Sequence, residues 1–184
     1  MKRPKLCVNT QTPLVRFNIT EEELAKRYEG FTGPLDLRLL TEEKDYSFSP
    51  GGVTRMVFPL LTRMLNGGLI DGAHWVSLNP TGPEEVVVEG IFLHHIRLEP
   101  EKIKGYGYTK EAIWKMIHGI EPSGAEQGVL WKDEFADYAY YNRVTAERLL
   151  SLDKAFDFDL FYIHDFQQLA VGYMLHTLKP KVFR

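Results

Sequence analysis

The chain has 184 residues, 44% hydrophobic and 26% charged, which suffices for one globular domain with a substantial core. Its formal net charge of −3 excludes a broad electrostatic footprint for nucleic acid, and its single cysteine, Cys7, excludes an intrachain disulfide. The basic start Met1-Lys2-Arg3-Pro4-Lys5 leads into an apolar run that stops at Asn9, too short for a signal peptide. No window approaches the ~18 apolar residues of a membrane span, so a cytoplasmic protein is expected.

Leu6-Cys7-Val8, ending in Asn9-Thr10-Gln11-Thr12, reads as a buried strand followed by a loop. Thr20 with Glu23 forms a capping-box pattern, so a helix starts there, and Gly30 is expected to end it. Residues 30–50 have little pattern and read as loop, with a short strand possible over Leu35–Leu40. Behind the turn residues Ser49-Pro50-Gly51-Gly52, apolar side chains recur at helical spacing from Val53 to Leu65. A helix over Gly52–Leu65 follows, with a kink or break expected at Pro59. Trp75–Leu78 is a strand closed by Asn79-Pro80, and Val86–Val88 and Ile91–Leu98 are two strands joined near Gly90.

Thr109 opens a helix through His118, and residues 119–130 form a loop. A long helix is expected from Asp133 to Leu150. Leu160-Phe161-Tyr162-Ile163, bounded by Asp159 and His164, reads as a central parallel strand buried on both faces. Asp165 then caps a helix through Leu178, and Lys181-Val182-Phe183 is a last strand. The alternation predicts an α/β fold: a Rossmann-like parallel sheet with helices on both faces. Ligands of such sheets bind outside the carboxyl ends of the strands, which directs attention to Asn9–Gln11, Ser49–Gly52 and His164–Gln168.

Two glycines at a helix N-terminus, Gly51 and Gly52, let a phosphate approach backbone N–H groups; the competing reading is a tight turn that needs positive φ. Asp165 can accept hydrogen bonds from sugar hydroxyls or orient His164; the competing reading is that it only caps its helix. Trp75, Trp114 and Trp131 offer apolar faces that can stack on a sugar ring or fill the core, and Trp131 is assigned to the core. His94 and His95 alternate along a strand, one toward the core and one exposed, and cannot form an adjacent metal pair. Cys7 is a small buried hydrophobe. Metal-ligand spacing of Cys and His is absent from the sequence, and so are a Walker loop and GxGxxG; Gly105-Tyr106-Gly107 lacks the third glycine.

Ser49-Pro50-Gly51-Gly52-Val53 resembles the glycine pair near the start of GT-B glycosyltransferases. The stretch Glu111-Ala112-Ile113-Trp114 through Ile117-His118, then Tyr138–Leu150, then Phe161-Tyr162-Ile163-His164-Asp165-Phe166-Gln167-Gln168-Leu169, is similar to the trehalose-6-phosphate synthase pattern. That pattern runs Leu-Trp-Pro…His, Tyr…Asn on a helix, then Trp-Val-His-Asp-Tyr-His-Leu. Glycogen synthases share a looser version, as do trehalose glycosyltransferring synthases. The resemblance implies that 1–184 is a single acceptor-side Rossmann-like domain, with the C-terminal donor-binding domain absent.

It further implies retaining transfer of a hexosyl unit, glucosyl above all, from a nucleotide diphosphate sugar to a sugar or sugar phosphate. Gly51 and Gly52 would face the donor phosphates, while Asp165, Trp114, His164, Trp75 and Tyr108, or Tyr106 in place of Tyr108, would bind the acceptor. Departures exist. The arginine that the family carries after its first strand is replaced here by Asn9-Thr10-Gln11, leaving Arg16 as substitute, and Lys115 stands where the family has proline. The family histidine of the next strand would fall beyond Arg184, so no catalytic residue is assigned. No metal and no cofactor beyond the nucleotide sugar are implied. The alternatives are a glycogen-synthase-like glucan elongator and a non-enzymatic sugar-binding or regulatory domain. The isolated chain is expected to fold without turnover and to self-associate through Phe183 and Phe166 on its interdomain face.

Overall fold

The computed structural model describes residues 2–28, 33–121 and 133–178. The chain divides into two compact units, Met1–Arg97 with Phe156–Ile163, and Leu98–Ala155 with His164–Arg184.

The first unit is built on a six-stranded sheet. Its strands are β1 (Lys5–Thr10), β3 (Leu35–Asp36), β5 (Gly72–Leu78), β6 (Glu85–Val88), β7 (Ile91–Ile96) and β8 (Leu160–Ile163). Their order is β3-β6-β7-β5-β1-β8, and every neighbouring pair is parallel except the β6–β7 hairpin. That hairpin turns through Glu89 and Gly90, both at positive φ, which suits the twist of a two-residue connection. A small antiparallel pair, β2 (Val15–Phe17) with β4 (Tyr46–Phe48), lies outside the main sheet. The expected α/β class is therefore observed, with a mostly parallel sheet.

One face of the sheet carries Val8, Ala73, Trp75, Val86, Ile91 and Leu93 into a core shared with Val57 and Leu61 of α2 (Gly52–Asn66). Helix α2 runs unbroken past Pro59, whose ring is exposed, so the expected break does not occur. Helix α1 (Glu21–Arg27) starts with the capping box: Thr20 Oγ1 accepts from Glu23 N–H, and Glu23 Oε2 accepts from Thr20 N–H. Its last residue is Arg27, and Gly30 lies outside the described residues.

The other face buries Cys7, His74, Val76 and His94, with Phe156 and Phe158 against His74. Both His94 and His95 are buried, which corrects the expectation that one is exposed. Both faces of this strand are covered, so alternation does not lead to solvent. His94 Nδ1 meets Glu85 Oε1 at 3.2 Å and its Nε2 meets His74 Nδ1 at 2.9 Å. His95 Nδ1–H donates to Pro83 O at 2.6 Å. Burial, then neighbouring His94 and Lys5, hold the His74 imidazole neutral by lowering its pKa to about 3.

Strand β8 also departs from expectation. It is the edge of the described sheet beside β1, with Leu160 54% and Tyr162 47% exposed. A continuous apolar run says nothing about how many neighbours a strand has. The strand expected at 181–183 and the exposure of Phe183 lie outside the described residues.

The second unit consists of helices. Helix α3 spans Pro100–Ile117 and opens at Glu99-Pro100, nine residues before the expected Thr109. Proline at the first helical position has a fixed φ suited to it. Gly105 and Gly107 mask the pattern, and Gly105 packs closely against Asp137, whose carboxylate would have to move for a Cβ there. Helix α4 runs Asp133–Phe156, and α5 runs Val171–Leu178. The helix expected from Asp165 is really a one-turn 3-10 segment, Phe166–Gln168, followed by α5. Trp131 and the loop 122–130 lie outside the described residues.

Candidate functional site

The residues singled out by sequence divide between the two units. Gly51, Gly52, Arg16 and Trp75 belong to the first; Tyr108, Trp114, His164 and Asp165 belong to the second.

In the first unit, β1, β5 and β7 run the same way, so their carboxyl ends share one edge of the sheet. Gly51 is the N-cap of α2 with φ −79 and ψ 158, and Gly52 is its first helical residue. Neither glycine has positive φ, which removes the tight-turn explanation. Packing does not require them either: a Cβ on Gly52 would have nothing within 4 Å, and one on Gly51 would only touch Thr12 Cγ2 at 3.9 Å. Glycine in a helix costs roughly 0.5–1 kcal/mol against alanine, and at the N-cap it offers no side-chain acceptor. The first-turn N–H groups of α2 are thus left uncapped by any side chain. Beside them, the hydroxyls of Ser49 and Thr54 are buried without a hydrogen-bond partner. The turn can accept a polar or anionic group at the backbone.

Arg16 is exposed on β2 opposite Ser47. Trp75 is 0% exposed within the hydrophobic core, which takes it out of the acceptor surface. Its position on the core-facing side of β5 is fixed by pairing with Val8 and Leu93. Sequence reasoning missed a cleft of about 550 Å³ lined by Phe17, Thr20, Glu21, Thr81, Gly82 and Arg97. There Arg97 pairs with Glu21 and donates to Gly82 O.

In the second unit, Asp165 is exposed and has φ 78, ψ 168. That is a region populated almost only by glycine, and an L-residue there bears roughly 1–3 kcal/mol of strain. Its Oδ1 accepts from the next amide, Phe166 N–H, at 2.7 Å. Capping is therefore part of its role, but the cap serves one short turn rather than a helix to Leu178. His164 precedes it, half-buried. The turn after Asp165 is held by α4, where Tyr138, Tyr141 and Asn142 are buried. The sequence signal for Tyr138 and Asn142, tyrosine and asparagine at i and i+4 on a helix, entered above only as part of the family resemblance, with no role given to either side chain.

Trp114 is 36% exposed and packs against His118 in a tilted arrangement, 4.4 Å between ring centres. Tyr108 is 50% exposed. Six residues apart on α3, the two point about 120° apart and sit about 9 Å apart along the axis, so the helix does not bring them together. Tyr106 is buried on the α3 face that also carries Thr109 and Ile113. Burial first, then Tyr141, Tyr138 and Asp165, push its phenol pKa up.

Among the described residues no helix is long and apolar enough to cross a membrane, and no group of three His, Cys, Asp or Glu could hold a metal ion.

No protein-family model matches the chain. It is 28% identical over 154 residues to a trehalose-6-phosphate synthase of Mycolicibacterium smegmatis, covering 81% of this chain and 28% of that protein. Among solved structures it matches an α,α-trehalose-phosphate synthase (UDP-forming) from Burkholderia xenovorans in complex with glucose-6-phosphate. The TM-score is 0.58 at 12% identity, over 96% of this chain and 31% of that one. It also matches the Escherichia coli trehalose-6-phosphate protein bound with UDP-2-fluoro glucose, with TM-score 0.53 and 16% identity over 95% and 30% of the two chains. The chain thus spans about a third or less of these relatives' length. In sequence it is similar to trehalose-6-phosphate synthase, and in fold it matches the α/β architecture of these GT-B glycosyltransferases.

Proposed function

We propose that this chain is the acceptor-side domain of a retaining hexosyltransferase of the trehalose-6-phosphate synthase kind, with the donor-binding domain outside residues 1–184. The observation that carries this reading is Asp165. An exposed carboxylate occupies a backbone conformation suited to glycine, two residues past the carboxyl end of a parallel strand. A residue kept under strain at that place is best explained by what its side chain binds. The similarity to trehalose-6-phosphate synthase supports the same assignment.

In this reading the uncapped first turn of α2 at Gly51 and Gly52 supports the donor diphosphate through backbone N–H groups. Asp165 accepts hydrogen bonds from acceptor hydroxyls, and His164 and Trp114 border the acceptor. Arg16, which the resemblance offers as a substitute for the family arginine, would serve a phosphorylated acceptor. The bond from the sugar anomeric carbon to the diphosphate breaks on the face where the acceptor oxygen attacks. The acceptor's hydroxyl proton passes to the leaving phosphate. The protein's contribution is positioning and electrostatic stabilisation. The bound compounds of the solved relatives make UDP-glucose and glucose 6-phosphate the first pair to test.

The test uses the 184-residue chain. Saturation-transfer NMR with glucose 6-phosphate and glucose should detect acceptor binding, and a mixture of UDP-glucose with either sugar should give no product. Turnover by this chain would contradict a site completed by a second domain. Absence of sugar binding would contradict the acceptor assignment.

A further inference from the structure

Five consecutive residues after Asp165 each place one group on α4. Phe166 O accepts from Tyr138 OH at 2.7 Å, and Gln167 O accepts from Asn142 Nδ2 at 3.3 Å. Gln168 Nε2 donates to Tyr141 OH at 3.0 Å. Leu169 N–H donates to Tyr138 OH at 3.3 Å, and Ala170 N–H donates to Asn142 Oδ1 at 3.1 Å. The three holders sit at i, i+3 and i+4, on one face of the helix, and all are buried.

We propose that Tyr138, Tyr141 and Asn142 are positioning residues for Asp165: they clamp the turn 166–170 so that its carboxylate is presented in the strained conformation. The functional meaning of the clamp rests on the acceptor reading of Asp165; the clamp itself does not. Three features single it out from ordinary packing. Asparagine is a poor residue for a helix interior and costly to bury unless its amide is fully used; here both ends of the Asn142 side chain bond the turn. The 3-10 turn has little backbone bonding of its own, with Gln168 N–H to Asp165 O at 3.3 Å. A glycine-type conformation at a non-glycine residue persists only where its surroundings over-determine it, and these five bonds supply that constraint immediately downstream. The hydroxyl of Tyr138 serves two of them.

Tyr138→Phe removes that hydroxyl and keeps the ring, which stacks near Tyr106 and Phe135. Two readouts follow on the 184-residue chain. Without ligand, the Phe166 amide, which donates to the Asp165 carboxylate, should move upfield in a 1H–15N spectrum of the variant. With glucose 6-phosphate as probe, the variant should bind about five- to tenfold more weakly than wild type, and the loss should vanish in an Asp165→Asn background. Tyr141→Phe should act in the same direction, less strongly, through Gln168. An unmoved Phe166 amide overturns the clamp, as does an equal loss of affinity in both backgrounds. If the wild-type chain binds no sugar, the acceptor reading fails, and the Phe166 amide alone decides the clamp: a shift sustains it, no shift ends it.

Discussion

The turn at Gly51-Gly52 and the turn at His164-Asp165 break local rules in opposite ways. At the first, glycine stands where the backbone has negative φ and where a Cβ would meet open space. At the second, aspartate stands at φ 78, where glycine would be relaxed. Each choice lowers stability relative to the obvious replacement, and each turn begins within three residues of the end of a strand, β4 for the first and β8 for the second. Fold alone explains neither; the phosphate and the sugar hydroxyl of the proposed function would explain both. Where local preference and observed residue disagree in this way, a functional constraint is the economical account.

The largest effect expected from this comparison is at Asp165. Asp165→Gly should stabilise the chain by about 1 kcal/mol, the relief of strain less the extra freedom of glycine in the unfolded chain, while sugar affinity is lost. Chemical denaturation of the two proteins checks it. A destabilised glycine variant would mean that the conformation is not strained, and the contrast between the turns would fail.

Acid titration bears on the same contrast by showing what the turns do not control. Burial lowers the pKa of His74, to about 3, and lowers that of His95. Unfolded, both titrate near pH 6.5. Their contribution is complete above about pH 6.5 and is lost as pH falls toward the folded-state values. Stability should therefore decline below pH 6.5 by at most about 1.4 kcal/mol per pH unit for each group. Urea midpoints between pH 7.5 and 5 would measure this slope, which should persist in Asp165→Gly because it arises in the sheet. A flat profile would contradict neutral buried histidines.

The smallest effect is at the glycine pair. Gly52→Ala should stabilise by about 0.5 kcal/mol, less than a mid-helix exchange because it lies in the first turn. In a protein that also carries a donor-binding domain, the same methyl group should weaken binding of the nucleotide sugar. Thermal melting decides the first part, and loss of stability there would show that the fold needs glycine after all.

Much of the scaffold could be read from local pattern. The Thr20–Glu23 capping box, the first strand, the β6–β7 hairpin and α2 are all set by neighbours in sequence. Strands β2 and β4 were not legible, because three-residue strands show no period and pair across about 30 positions. The start of α3 hid behind Gly105, which packs closely against Asp137 on another helix. The edge position of β8 depends on which strands join it, and an apolar run is silent on that. Of the candidate site, the turn at Asp165 was legible because it follows a strand, and the turn at Gly51-Gly52 because turn residues precede a helical pattern. The φ of Asp165 and the hold of Asn142 on the next turn are tertiary facts. Trp75 misled because a tryptophan on a strand gives no sign of which face is core.

The central claim is that Asp165 is held for its carboxylate, and Asp165→Asn tests it most directly. Asparagine caps about as well and bears the same backbone strain as aspartate at this φ and ψ, so the melting temperature should match wild type. Charge-assisted hydrogen bonds to a sugar, worth roughly 1.5–3 kcal/mol, would be lost. Affinity of the chain for glucose 6-phosphate, or for glucose if that is the acceptor, should therefore fall on the order of ten- to hundredfold. Unchanged melting with unchanged affinity would contradict the account and leave Asp165 as a cap for a short turn.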